Sequence, residues 1–331
     1  MADIRNIRRN GDNTPNKIYR CIGGNLHEIK RVYKGMGSQA VIVWDIGKSV
    51  SGLTMKFDVA LSGSIIVIDA LEMTAHTGKI DWGDGTVQDY TSTTQTGHMY
   101  SDTSGTSYTV TIDCPFGSLS SVSISRGILT EITVPDGVSS LGESCFSSLY
   151  HLTKVSLPDS VIAVGENCFR NCEALTEIKI PRISTIPYCC FYNCQSLQSS
   201  EIPDTVTMIS NLAFDGCTSL QEIVIPDSVT EIKYNAFVNC SSLKNVKLSQ
   251  SLSVLGLAAF QGCTALQIIT LPASLTYLDS QIFSGCTVLQ TVYYEGSQAQ
   301  FDQMSKADDW LSGTTAQLVC LVDRKGGDES E

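Results

Sequence analysis

The sequence has few histidines and lacks the common catalytic motifs. His27, His76, His98 and His151 are its four histidines, and none lies in a paired nucleophile or carboxylate motif. There is no G-x-S-x-G, H-E-x-x-H or Walker-type loop, which would indicate a hydrolase, a zinc protease or a nucleotide site. The sequence therefore predicts a non-enzymatic protein with no catalytic residues, no cofactor and no metal site.

Long apolar runs are also missing. No stretch approaches the ~18–20 consecutive apolar residues that a membrane span needs. The first residues, MADIRNIRRNGDN, are basic but contain no apolar core or small-residue cleavage site, so we expect neither a membrane span nor a secretory signal. Coiled-coil heptads are absent too, which leaves the oligomeric state open, homo-oligomer included.

Positive charge is scarce outside the first segment. The chain carries 22 Lys and Arg against 34 Asp and Glu, for a net charge of −12. Residues 1–35 have a net charge of +5, which leaves −17 on the remainder. An acidic body repels phosphates, so nucleic acid binding is not expected. The basic start is either a docking segment for an acidic partner surface or a solvated arm.

A repeat dominates the second half of the chain. Successive Phe residues are separated by 23, 22, 23, 23, 23 and 23 residues, with a Cys three positions after each from the second onward and a Leu three positions further on. The phenylalanines are Phe146, Phe169, Phe191, Phe214, Phe237, Phe260 and Phe283. Such a period predicts stacked structural units.

Each Leu opens a segment such as LTEIKIP or LQEIVIP, which alternates apolar and polar residues as a strand with one buried face does. Proline closes most of these segments because it cannot donate to a strand ladder. One unit cannot bury its apolar side alone, so the units must stack, and the last one needs a cap. The third unit lacks one residue near Arg182, which predicts a local irregularity.

These residues resemble the BspA-like subclass of leucine-rich repeats, whose unit reads roughly C-x-x-L-x-x-V-x-I-P-x-S-V-x-x-I-x-x-x-A-F. The resemblance covers about residues 126–295 and implies a mainly β solenoid of about eight coils. Residues 296–331 resemble the closing segment of such proteins and are predicted to form a C-terminal cap with an acidic tail.

The region before the repeats divides into two further segments. Residues 51–125 contain strand-like runs around Asp81-Trp82-Gly83-Asp84-Gly85-Thr86, His98-x-Tyr100 and YTVTI, which resemble small PKD-like β-sandwich domains. Residues 1–50 hold three β-like runs and resemble attachment segments of bacteriophage virion proteins. Gly83 and Gly85 are expected in a tight turn with positive φ.

The thirteen cysteines have three interpretations. They pack as small apolar side chains, they form a ladder of disulfides between coils, or four of them (Cys168, Cys172, Cys190 and Cys194) hold zinc. Packing is favoured because alanine replaces cysteine in the column before Phe. Asp81 and Asp84 suggest calcium, but a turn-forming role suits their spacing better.

The outward strand positions form a continuous stripe, which is either a solvated face or a binding face. The candidate binding residues are Lys179, Glu201, Val224, Lys247, Ile268, Thr270 and Tyr293. The expected ligand is a protein or glycan surface, and the C-terminal end near Ile268 and Tyr293 is favoured because it is more apolar.

Together these features favour a bacteriophage virion-surface protein that displays a solenoid for attachment and binds the virion or another scaffold through residues 1–50. A bacterial cell-surface adhesin is the alternative, and a hydrolase that uses the solenoid as a scaffold is the least favoured class.

Overall fold

The structure is a computed structural model, and it describes residues 18–22, 25–29, 52–58, 65–73, 77–91, 95–100, 107–113, 118–126 and 128–324. The chain divides into two compact units, Met1–Ser51 and Gly52–Glu331. In the first unit, β1 (Ile18–Ile22) and β2 (Asn25–Ile29) form an antiparallel hairpin. The second predicted β-like run, residues 27–35, is described only at its start, within β2, and the third run, residues 40–47, lies outside the described residues.

The second unit begins with strands in two sheets. They are β3 (Gly52–Asp58), β4 (Ile65–Met73), β5 (Thr77–Asp81), β6 (Val87–Thr91), β7 (Thr96–Met99), β8 (Ser107–Asp113) and β9 (Ser118–Arg126). β3, β8, β5 and β6 are neighbours in one sheet, and β9, β4 and β7 in the other. Alternate residues of β3 are buried (Leu53, Met55 and Phe57), as expected for a strand with one face in a core. The PKD-like assignment remains a prediction.

The repeats form coils with two strands each. The first strands are β10 (Ile128–Thr133), β12 (Lys154–Ser156), β14 (Glu177–Lys179), β16 (Ser199–Glu201), β18 (Glu222–Val224), β20 (Asn245–Lys247), β22 (Ile268–Leu271) and β24 (Thr291–Tyr294). The second strands are β11 (Ser140–Leu141), β13 (Ala163–Val164), β15 (Thr185–Ile186), β17 (Met208–Ile209), β19 (Glu231–Ile232), β21 (Val254–Leu255) and β23 (Tyr277–Leu278). Paired strands of neighbouring coils are parallel, which confirms the predicted mainly β solenoid of about eight coils.

The predicted Phe column is the centre of the core. All seven rings are buried, and consecutive ring centroids lie 5.2–6.0 Å apart. The Leu that opens each first strand is buried beside them. Offset-stacked aromatic pairs at such separations add stability beyond their buried area. The 23-residue period therefore places one ring, one thiol and one Leu per coil at the same depth.

The thiols of the Cys column each donate a hydrogen bond to the carbonyl of a Phe in the preceding coil. These pairs are Cys172 to Phe146, Cys194 to Phe169, Cys217 to Phe191, Cys240 to Phe214, Cys263 to Phe237 and Cys286 to Phe260, at 3.1–3.3 Å. Five of these carbonyls, from Phe169 to Phe260, also accept a backbone N–H, so the thiols there add a second hydrogen bond as well as fill space.

The strands that precede the repeats cover the first coil. β3 pairs antiparallel with β10, and β9 pairs in parallel with β11, so both sheets continue from one segment into the next. Lys56 on β3 forms an ion pair with Glu131 on β10 at 2.6 Å. The predicted divisions at residues 50, 125 and 295 remain predictions.

The other end of the stack is closed by α1 (Gln298–Gln303), β25 (Ser305–Lys306), β26 (Gln317–Cys320) and α2 (Leu321–Arg324). Trp310 contacts Phe283, the last ring of the column, edge-on at 6.3 Å. β26 pairs with β24 as one further parallel strand. The apolar end of the last coil is thus covered, as stacking requires.

The second strands do not form one uninterrupted sheet. Within residues 128–324, β11 and β13 belong to one sheet, and the second strands from β15 onward form another sheet. The interruption lies at the short third repeat, where the sequence predicts an irregularity near Arg182.

Candidate binding face

The outward side chains of the first strands line up in columns, as the period-two pattern predicts. Parallel pairing sets Lys179 beside Glu201, and Val224 beside Lys247. In both pairs the side chains are exposed, while the central residue of each strand, such as Ile178, points into the core. The binding role of these columns remains a prediction, although their alignment is a property of the fold.

A groove of about 550 Å³ lies on this face, across β18, β20 and β22. It contains four of the seven candidate residues: Val224, Lys247, Ile268 and Thr270. Val224 is 58% exposed and Ile268 is 50% exposed, so two branched apolar side chains project into solvent. Around them the lining supplies ammonium, carboxylate and amide groups from Lys244, Glu222, Asn245 and Gln267. Such a lining offers both apolar contact and hydrogen bonds to a ligand.

The remaining three candidates lie outside this groove. Lys179 forms an exposed ion pair with Asp159 at 3.0 Å and neighbours Glu201 in the same sheet. Tyr293 is only partly exposed, because it lies between Thr270 on β22 and Val319 on β26. The strand contributed by the cap thus flanks the C-terminal end of the face, and this position could not be predicted from the repeat pattern.

Eleven cysteines within residues 128–324 are free and buried. They are Cys145, Cys168, Cys172, Cys189, Cys190, Cys194, Cys217, Cys240, Cys263, Cys286 and Cys320. Burial raises the pKa of Cys172 to about 12 and raises the pKa of Cys194 and Cys217 as well, so these thiols are protonated at neutral pH. Among the described residues, no three His, Cys, Asp or Glu side chains are grouped so that they could hold a metal ion.

Asp81 and Asp84 bind the backbone of their own turn. Asp81 Oδ1 accepts from the Gly83 N–H, and Asp84 Oδ1 accepts from the Thr86 N–H, both at 2.9 Å. Gly83 has φ of +80°, and a Cβ there would lie 2.4 Å from the Thr109 carbonyl oxygen, so this position requires glycine. The carboxylates have the turn-forming role that their spacing predicts.

His98 packs on this turn from β7. Its Nε2 lies 2.6 Å from Asp84 Oδ2, and its ring stacks on Trp82. Burial disfavours the charged form of Asp84, but the hydrogen bonds with His98 and Thr86 outweigh it and lower the pKa of this carboxyl. These contacts of His98 join β7 to the turn.

The described residues contain no helix that is long and apolar enough to cross a membrane.

The repeat sequence matches the family described as BspA type leucine rich repeat region, over residues 118–186 and 184–305, which together are more than half of the chain. The chain belongs to the BspA-type leucine-rich repeat family. The two matched segments meet at the short third repeat. No curated protein is significantly similar to the chain.

Solved structures of leucine-rich repeat proteins resemble this BspA-type chain. One is a leucine-rich repeat protein from Bacteroides ovatus, with 27% identity over 61% of this chain and a TM-score of 0.50. Another is a leucine rich cell surface protein from Faecalibacterium prausnitzii, with 27% identity over 54% of this chain and a TM-score of 0.37. The chain spans only 54% and 62% of these two proteins.

Proposed function

We propose that this BspA-type chain is a non-enzymatic binding protein, and that its ligand contacts the exposed first-strand face. The observation that carries the proposal is the groove across β18, β20 and β22, where Val224 and Ile268 are 58% and 50% exposed amid polar side chains. Exposed apolar side chains on strands of packed coils lose little conformational entropy when they are covered, so they suit a contact surface. The ligand is a protein or a glycan surface.

Aspartate substitutions test this face. We expect Val224→Asp and Ile268→Asp to weaken binding to immobilised extracellular proteins or oligosaccharides at least tenfold, because a carboxylate would be desolvated in the contact. Leu257→Asp is the matched control, since Leu257 is 40% exposed and lies beyond β21, next to the second strands. All three variants should keep the parent's melting temperature. Equal binding by the parent and both groove variants would contradict the proposal.

For the whole protein, our narrower proposal is display on a bacteriophage virion, with residues 1–50 as the attachment segment and residues 51–125 as a PKD-like spacer. It is supported by the basic charge of residues 1–35 and by the two resemblances described above. A bacterial cell-surface adhesin is the alternative. Mass spectrometry of purified virions and of bacterial envelopes distinguishes them, because detection confined to envelopes rejects the virion proposal. Turnover in a panel of hydrolase substrates would contradict the non-enzymatic assignment.

A further inference from the structure

The third repeat lacks a residue whose side chain, in other repeats, donates a hydrogen bond to the preceding coil. Ser160 in the second coil and Thr205 in the fourth each donate a side-chain hydrogen bond to a carbonyl of the preceding coil, at 2.7 and 2.9 Å. The third coil has no residue at this position, because only 22 residues separate its Phe from the previous one. Its turn is correspondingly tighter: the Ile183 N–H donates to the Pro181 carbonyl, two residues back.

A second set of hydrogen bonds between the two coils is missing at Ser184. In the fourth coil, the backbone N–H and the hydroxyl of Thr207 both donate to the Ser184 carbonyl, at 2.8 and 3.1 Å. The equivalent groups of Ser184 face Ile162 in the second coil. Among the described residues, neither the N–H nor the hydroxyl of Ser184 makes the corresponding bond to the Ile162 carbonyl.

Pro187 excludes a third hydrogen bond, from a backbone N–H of the third coil to the second coil. The Ser210 N–H donates to the Ile186 carbonyl at 3.0 Å, and Gly165 makes the same bond to Leu141 at 2.9 Å. Pro187 occupies this position in the third coil and has no N–H. The Val164 carbonyl therefore has no donor from the third coil. The short repeat and Pro187 together explain why β13 and β15 do not pair.

The interruption opens a groove of about 640 Å³ between β13 and β15. This volume falls within the roughly 300–1,000 Å³ of small-ligand sites. Its lining includes Ile162, Val164, Glu166, Ser184, Tyr188 and Asn211. Groups of the kind that link coils elsewhere belong to this lining: the carbonyls of Ile162 and Val164 as acceptors, and the N–H and hydroxyl of Ser184 as donors.

We propose that this groove binds a neutral sugar residue of a glycan. Sugar hydroxyls both donate and accept, so they need a site with both kinds of partner, as the backbone groups, Ser184 and Asn211 provide. Tyr188 and the 66% exposed Ile162 add apolar surface for the C–H groups of a sugar ring. Glu166 is the sole charged side chain in the lining, so no basic group favours an anionic ligand. This site is separate from the first-strand face.

An array of neutral, sulfated and sialylated oligosaccharides tests the proposal on the full chain. We expect neutral oligosaccharides to be retained, and Tyr188→Ala and Glu166→Gln to weaken their binding at least tenfold. Tyr234→Ala is the matched control, because Tyr234 is 40% exposed and occupies the same position of the coil two repeats later.

A repaired repeat provides an independent test. Insertion of a serine after Arg182 together with Pro187→Ser restores the 23-residue length and the missing donors, and it should close the groove. We expect this variant to remain folded by circular dichroism and to lose neutral-glycan binding. Retention of binding by the repaired chain, retention of anionic glycans only, or equal losses in the Tyr188 and Tyr234 variants would overturn the proposal.

Discussion

The thiol of Cys240 donates a hydrogen bond to the backbone carbonyl of Phe214, 3.2 Å away in the preceding coil. The column that precedes each Phe behaves differently: Cys190 in one coil is followed by Ala213 in the next, at the same buried position. Two cysteine columns therefore face the core. The column before Phe mainly fills space, although Cys145 in it donates a long hydrogen bond of 3.5 Å to the Leu119 carbonyl. The other column adds a second hydrogen bond to a carbonyl, such as that of Phe214, that already accepts a backbone N–H.

Cys240→Ala tests this difference. The substitution removes the sulfur and one of the two hydrogen bonds to the Phe214 carbonyl, which keeps its bond from the Cys217 N–H, so we expect the free energy of unfolding to fall by about 2 kcal/mol. Cys190→Ala is the matched control and should cost about 1 kcal/mol or less, since the next coil already carries alanine there. Urea denaturation of both variants gives the comparison. Equal losses would mean that the hydrogen bond contributes nothing measurable.

Alkaline pH should destabilise the chain through its buried thiols. Burial raises the pKa of Cys172 to about 12, whereas an unfolded thiol titrates near 8.5. A folded pKa above the unfolded one means that the stabilisation is full below pH ~8.5 and is lost as pH rises toward 12. We expect the free energy of unfolding to decline from about pH 8.5 upward. Urea midpoints measured between pH 7 and pH 10 test this, and a flat profile would contradict it.

Asp215 should make the chain less stable at neutral than at acid pH. Burial raises the pKa of this carboxyl to about 6, although a hydrogen bond with Asn239 opposes the shift. Because the folded pKa lies above the unfolded one, the stabilisation is full below pH ~4 and is lost by pH ~6. Partial exposure reduces the effect, so Asp215→Asn should gain about 1 kcal/mol at pH 7. At pH 4 the variant and the parent should unfold at similar urea concentrations, and a gain there as large as at pH 7 would show that the charge is not its cause.

Trp310 should stabilise the last coil more than the rest of the chain. It covers the exposed end of the Phe column through Phe283 and also contacts Phe301 at 5.6 Å. Trp310→Ala removes a large buried side chain, so we expect a loss of about 3–5 kcal/mol, with faster amide exchange in β22 and β24 than in β14 and β16. Hydrogen exchange with mass spectrometry resolves these strands. Uniform acceleration along the solenoid would indicate a global effect instead of a local cap.

The fold of the repeats could be predicted because the period encodes it. Each 23-residue unit carries its own Phe, Cys and Leu, and stacking alone brings equal positions together, so no long-range pairing had to be guessed. The outward columns could be predicted for the same reason, since strand side chains alternate between two faces.

Features that depend on non-periodic contacts could not be predicted. The pairing of β3 with β10, where Lys56 and Glu131 are 75 residues apart, has no repeating signal. The short repeat near Arg182 indicated an irregularity, but the groove also depends on Pro187. The effect of this proline is clear only from the structure, where Gly165 and Ser210 donate backbone N–H groups from the same position in the neighbouring coils. Likewise, alternation placed Val224 and Ile268 outward without showing that one groove contains both.

Both ends of the array are occupied, by β3 beside β10 and by β26 with Trp310 beyond β24. A new coil added at either end would displace a strand, β3 or β26, that already forms hydrogen bonds with the edge strand of the terminal coil. Gene duplication that lengthens such a protein must therefore act on interior units, in whole repeats of 22 or 23 residues. We expect natural size variants to differ between these two closures while both closures persist.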